Sequence, residues 1–129
     1  MIDLFEKALM VMDNAYAPYS NFRVGVSILS DDNKVYLGCN VENAAYPQGL
    51  CAEAGAIAAM ISGGSKTISK ILVVADSKNL ITPCGGCRQK LSEFSTKDTS
   101  IFLADMSGIK KKLKLFELLP GAFDSNFLK

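Results

Sequence analysis

The 129-residue chain contains no histidine and no tryptophan. Without histidine there is no imidazole general base, no histidine-bearing catalytic triad and no histidine-ligated metal site. Any chemistry must therefore use Cys, Asp, Glu, Lys, Tyr, Ser or Thr. The lack of tryptophan and a formal net charge of only +1 argue against a basic, aromatic-lined channel for polynucleotides. They argue equally against a surface built to coat anionic lipid. Lysines do gather at Lys110, Lys111, Lys112 and Lys114, but such a run is ordinarily a solvated edge. No apolar stretch approaches the roughly 20 residues that span a bilayer. The opening residues Met1 to Lys7 carry acids early and lack a basic segment followed by an apolar one. These absences predict a soluble cytoplasmic protein without nucleic-acid or membrane partners.

What is present suffices for one packed domain over residues 1–129, since 49% of the residues are apolar and 21% charged. There are four cysteines, two of them in Cys84-Gly-Gly-Cys87. In a reducing compartment these read as metal ligands or redox groups before they read as disulfides.

Leu4, Phe5, Ala8, Leu9 and Met12 recur at helical spacing, and Asp3 with Glu6 makes a variant capping box, so a helix is expected over 3–16. Residues 24–29 and 35–37 read as two strands joined at Asp31-Asp32-Asn33 in a hairpin. Residues 40–50 read as a loop, and 51–61 as a close-packing helix of small residues stopped by Gly63-Gly64. The continuously apolar run 71–75 predicts a central strand covered on both faces. A helix from 84 or 85 to 94, strands at 101–104 and 110–115, and a helical turn at 116–119 follow. The order predicts an α/β fold, a three-layer α/β/α sandwich around a mixed five-stranded sheet.

Two segments carry chemistry, Cys51-Ala-Glu53 and Pro83-Cys84-Gly-Gly-Cys87, each at the start of an expected helix. Free backbone N–H groups and the helix dipole there favour thiolates, the form that binds zinc. Cys84 and Cys87 can reach one ion from a single turn, and Cys51 adds a third ligand. Three protein ligands leave the fourth tetrahedral position open, as in catalytic zinc sites. Glu53, two residues past Cys51, can take and return a proton without being a ligand. Blander readings exist. Cys39 could close a non-catalytic four-cysteine zinc module, Cys-x-x-Cys could be a redox pair, and Glu53 could merely complement its helix dipole. Asn40 and Glu42 could be turn residues, and Phe22, Tyr46 and Phe123 core aromatics.

The pattern Cys-x-Glu followed by Pro-Cys-x-x-Cys is the signature of the zinc deaminases. The chain resembles the small, homotetrameric, three-cysteine cytidine deaminases over nearly its whole length, through residues 17–25, 38–44, 51–53, 82–89 and 117–123. The resemblance implies zinc-dependent hydrolysis of cytidine and 2′-deoxycytidine to uridine and 2′-deoxyuridine plus ammonia, in pyrimidine salvage. It implies one Zn2+ per subunit, held by Cys51, Cys84 and Cys87, with Glu53 as proton shuttle. Asn40 and Glu42 match the pair that binds the ribose 3′-hydroxyl, Phe22 the aromatic near the pyrimidine, and Ala52 a backbone contact to the base. Ala44, Tyr46 and Phe123 match positions that reach a neighbouring subunit's active site. Arg88 matches an arginine that hydrogen-bonds the cysteine sulfurs. A second such arginine, usual after the catalytic Glu, is replaced here by Ala54, so Arg88, helix N-termini or Arg23 is expected to offset the thiolate charge. The nearest alternative is a deaminase of the same fold acting on another aminonucleoside or base.

Overall fold

The computed structural model describes residues 3–129. Its first helix, α1 (Leu4–Met12), starts where Asp3 accepts a hydrogen bond from the Glu6 backbone N–H at 3.0 Å. It ends earlier than the expected 3–16. Asn14 N–H and Ala15 N–H bond back to Val11 and Met12 in a tight turn. Tyr16 then leaves the helix and exchanges backbone hydrogen bonds with Asn40 and Glu42. Pairing across the chain thus overrides the local propensity to continue.

The hairpin is formed by β1 (Val24–Ser30) and β2 (Val35–Cys39), and Asn33 at its tip adopts φ 62°. The small-residue helix α2 spans Ala52–Ser62, with Cys51 as its extended N-cap. Next come β3 (Ile68–Ala75), α3 (Gly85–Glu93, capped by Cys84), β4 (Ser95–Asp105) and β5 (Gly108–Lys114). β3 and β4 run longer than the apolar segments that announced them, because ladder bonds extend into the flanks, at the start of β3 and at both ends of β4.

The sheet order is β2-β1-β3-β4-β5, with β3 and β4 parallel and the other neighbours antiparallel. A parallel pair requires a crossover, and α3 supplies it. Helix α1 covers one face, packing Ala8 and Met12 on Leu72, Val74 and Ala104. Helices α2 and α3 cover the other, where Ala56, Ile57, Met60 and Leu91 meet Val26, Ile28, Ile71, Val73 and Ile101. The alternation in β3 assigns Leu72 and Val74 to one core and Ile71 and Val73 to the other, so a strand apolar at every position is buried on both sides. The three-layer mixed sheet is as expected.

Register decides where the chemistry collects. Val24 opposes Ala75, and Gly25 opposes both Val74 and Cys39. The start of β1 and the ends of β2 and β3 therefore lie together at one end of the sheet. The segments leaving that end carry Asn40, Glu42 and Cys51 after β2, and Cys84 after β3. Gly38 in β2 sits directly beneath the first turn of α2. A Cβ there would lie 2.4 Å from both the Ala52 carbonyl oxygen and the Ala56 nitrogen, so only glycine lets the helix seat this closely.

Candidate active site

The Cys51, Cys84 and Cys87 sulfurs lie within 4.8 Å of one another, brought together from two helix N-termini that share no sequence neighbourhood. Three sulfurs on one tetrahedral zinc at about 2.3 Å stand roughly 3.8 Å apart, so the three fit a single zinc ion. Cys87 is buried, and Cys51 and Cys84 are exposed towards the cleft side. The Cys87 backbone N–H holds the Cys84 thiol below its ordinary value. Burial pushes the Cys51 and Cys87 thiols up. A cation among the three reverses that cost by favouring every thiolate. Cys39 stands outside the cluster, which is the arrangement of an open rather than a closed site. Burial raises its thiol too, as for a small residue at a strand end.

Glu53, in the first turn of α2, is 5% exposed. Burial raises its carboxyl above the ordinary carboxylate range, with its own backbone N–H and Lys90 opposing the rise. A carboxyl so shifted holds a proton nearer neutral pH, which suits a proton shuttle.

Glu53, Cys51, Ala52 and Cys84 line one side of a cleft of about 380 Å³; Phe22, Asn40, Glu42 and Tyr46 line the other. Six expected residues and two cysteines of the trio thus line one cavity, and Cys87 is the buried third. Phe22 is 38% exposed and presents its ring to the opening, so it is no core aromatic. Tyr46 lines this subunit's own cleft and meets Tyr19 edge-on at 6.0 Å. Two expected residues are elsewhere. Ala44 is exposed on the loop before α2, and Phe123 stacks on Phe127 at 5.5 Å near the carboxy end, where its carbonyl accepts from Gln89.

Arg88 also has partners other than those expected. Its guanidinium donates to the carbonyls of Pro83 (2.8 Å) and Leu118 (3.0 Å) and to the Thr82 hydroxyl (2.7 Å). All three acceptors are oxygens. The fork is committed because Leu118, brought in by a short helical turn at Leu115–Leu118, offers a carbonyl beside the Thr82-Pro83 loop. Arg88 thereby ties the Thr82-Pro83 segment that precedes Cys84 to the Leu118 carbonyl. Arg23 is exposed, and Cys51 and Cys84 stand as the N-caps of α2 and α3, at the positive ends of both helix dipoles. Ala54, in the place of the second arginine, opens onto a shallow groove between α2 and α3 that Lys90 also lines.

Asn40 and Glu42 are more constrained than turn residues. Asn40 Oδ1 accepts from Val24 N–H (2.9 Å) and its Nδ2 donates to the Phe22 carbonyl (2.8 Å), which fixes the amide orientation. Glu42 Oε1 accepts from the backbone N–H groups of Tyr19 (2.9 Å) and Ser20 (3.1 Å), and Oε2 accepts from the Ser20 hydroxyl. Sequence reasoning did not find Val24, Val41, Leu50 and Ile81, which supply the apolar walls. Nothing local distinguishes them from core residues.

The profile of the cytidine and deoxycytidylate deaminase zinc-binding region matches residues 2–103. The chain belongs to that family. A cytidine deaminase of Halalkalibacterium halodurans is 41% identical over 120 residues, covering 93% of this chain and 91% of that protein. The crystal structure of a cytidine deaminase from Burkholderia pseudomallei superposes with a TM-score of 0.88 at 39% identity, covering 93% of this chain and 96% of that one. The cytidine deaminase structure from Mycobacterium tuberculosis gives 0.80 at 36% identity, with 95% and 98% covered. These likenesses run the length of the domain, so the deaminase family provides both its fold and the zinc-binding character of the cysteine cluster.

Proposed function

We propose that this chain is a cytidine deaminase that converts cytidine and 2′-deoxycytidine to uridine and 2′-deoxyuridine with release of ammonia. One zinc per subunit would be held by Cys51, Cys84 and Cys87. The observation that carries the reading is the single cleft that joins the cysteine trio and a buried Glu53, whose carboxyl burial raises above the ordinary range, to the Asn40/Glu42 pair.

Counting valences supports a nucleoside. An ionised carboxylate has about four acceptor positions. Three of those on Glu42 are filled by Tyr19 and Ser20, leaving one on Oε2. Asn40 keeps one Nδ2 hydrogen after bonding Phe22. A sugar 3′-hydroxyl is both donor and acceptor, so it can satisfy the two at once. A ligand lacking it leaves a polar pair unmatched, which is strongly discriminating. Phe22 and the apolar walls then cover the ring, and the Ala52 backbone lies at the base edge.

Zinc, when bound, supplies the Lewis acidity that makes water a nucleophile at neutral pH. Glu53 accepts the proton that water gives up and delivers it to N3, which leaves C4 electron-poor. After the C4–O bond forms, Glu53 takes the remaining proton from the added oxygen and passes it to the exocyclic nitrogen, and ammonia departs as the C4–N bond breaks and the C4 carbonyl forms. Water and cytidine thus become uridine and ammonia, with Glu53 returned to its starting state. Arg88 holds the Thr82-Pro83 loop so that Cys84 keeps its place.

The reading extends to assembly and place. Tyr46 is 76% exposed, Phe116 59% and Phe127 69%, and so many exposed large apolar groups suit a homotetramer in which Ala44, Tyr46 and Phe123 approach a neighbour's cleft. Among the described residues no helix is long and apolar enough to cross a membrane, consistent with pyrimidine salvage in the cytoplasm. The test is the ultraviolet spectrum of cytidine incubated with the zinc-loaded protein. Conversion to the uridine spectrum, abolished when a chelator strips the metal, is expected. No conversion by protein carrying its zinc would refute cytidine as substrate, and a panel of other aminonucleosides and bases would follow.

A further inference from the structure

The loop between α1 and β1 contains a residue outside the cleft lining, Ser20, that binds two residues of that lining, Phe22 and Glu42. We propose that Ser20 is a positioning residue for nucleoside selection: it orients the Glu42 carboxylate so that a single acceptor position faces the sugar 3′-hydroxyl. This rests on the assignment of Asn40 and Glu42 to that hydroxyl.

The Ser20 hydroxyl donates to Glu42 Oε2 and accepts from the Phe22 backbone N–H at 3.0 Å, while the Ser20 backbone N–H donates to Glu42 Oε1 at 3.1 Å. One side chain thereby ties the carboxylate to the aromatic residue that covers the ring. The turn that makes this possible runs through Asn21, whose φ of 57° lies in the left-handed region that asparagine tolerates. Asn21 N–H closes the turn on the Ala17 carbonyl at 2.9 Å. Asn40 locks the far side through the Phe22 carbonyl and Val24 N–H. Phe22, Asn40 and Glu42 therefore share one hydrogen-bonded frame, in which Ser20 is the only side chain that is not itself part of the cleft lining. The Ser20 hydroxyl is also the chief influence holding Glu42 below the ordinary carboxylate range, so Glu42 is a pure acceptor at neutral pH. Without the hydroxyl, Oε2 has two open positions, and the carboxylate can turn about its terminal bond.

The test compares cytidine with 2′,3′-dideoxycytidine in the zinc-loaded enzyme. Ser20→Ala is expected to raise KM for cytidine about tenfold with kcat within about twofold, the signature of lost uniform binding. It should change KM for the dideoxynucleoside by less than about twofold, and Ser20→Thr should restore most of the cytidine affinity. A Ser20→Ala variant that weakens both nucleosides equally would show a loop-packing role and overturn the proposal. Glu42→Gln is the control. If it loses the preference for the 3′-hydroxyl while Ser20→Ala keeps it, the role of Ser20 fails and the sugar site stands. If Glu42→Gln keeps the preference, the sugar site itself is misassigned and the proposal falls with it.

Discussion

Gly38→Ala should damage the active site through the scaffold alone. The added methyl would stand 2.4 Å from Ala52 O and Ala56 N and 3.0 Å from Ala56 Cα. Ordinary carbon contacts lie near 3.5 Å, so helix α2 must lift by about 1 Å at its first turn. Overpacking of this kind costs about 1–3 kcal/mol. For a domain of this size that lowers the thermal midpoint by roughly 5–15 °C. The displaced turn carries Cys51 at its cap and Glu53 in its first turn, and a misplacement near 1 Å can reduce turnover about 100-fold. Gly25→Ala supplies the control. Its methyl would meet Ala8 O at 2.1 Å and Met12 Cβ at 2.8 Å, pushing α1 from the opposite face of the sheet. Thermal melts, zinc content per chain and kcat/KM on cytidine should be measured for both. Comparable losses of stability are expected, with Gly38→Ala losing at least about ten times more activity. Equal activity in the two variants, or a Gly38→Ala enzyme with unchanged melting and turnover, would refute the claim that β2 sets the height of the catalytic helix.

Glu53→Gln should retain zinc and bind cytidine while kcat falls about 10²–10⁴-fold, the usual worth of a proton-transfer group; metal analysis with steady-state kinetics checks it, and near-normal turnover would remove Glu53 from the mechanism. At the other end of the sheet, Asp32 accepts from the Ser30 and Ser65 hydroxyls, which hold its carboxyl below the ordinary value of 3.8. A depressed folded pKa contributes stability above 3.8 that is lost as pH falls through the folded value. The melting-temperature gap between the wild type and Asp32→Asn should therefore be flat from neutral pH down to about 5 and close in stronger acid; a gap that persists there would refute the charged role.

Residues 51–53 and 84–87 were legible because their chemistry is local. Ligand spacing within one turn, and a carboxylate two residues from a thiolate, survive translation into a helix unchanged. Strand β3 was equally legible, since a run apolar on both faces can lie only between two cores. The first helix ends sooner than its periodicity predicts because nothing near Asp13 announces that Tyr16 pairs with Asn40 and Glu42. The resemblance pairs Arg88 with the cysteine sulfurs, whereas its guanidinium meets three oxygens, one of them the Leu118 carbonyl from 30 residues away.

The amino-acid sequence by itself determined the donor set: three cysteines, one carboxylate two residues beyond the first of them and no imidazole, placed at helix starts by short-range spacing. Only the tertiary structure decided that Cys51 meets Cys84 and Cys87, that Glu42 is oriented by Ser20, and that Gly38 sets the seat of α2. The physical reason is range. Helical geometry is written in bonds between near neighbours, but strand register and long-range hydrogen bonds depend on which distant segments pack, and register brings the start of β1 and the ends of β2 and β3 to one end of the sheet.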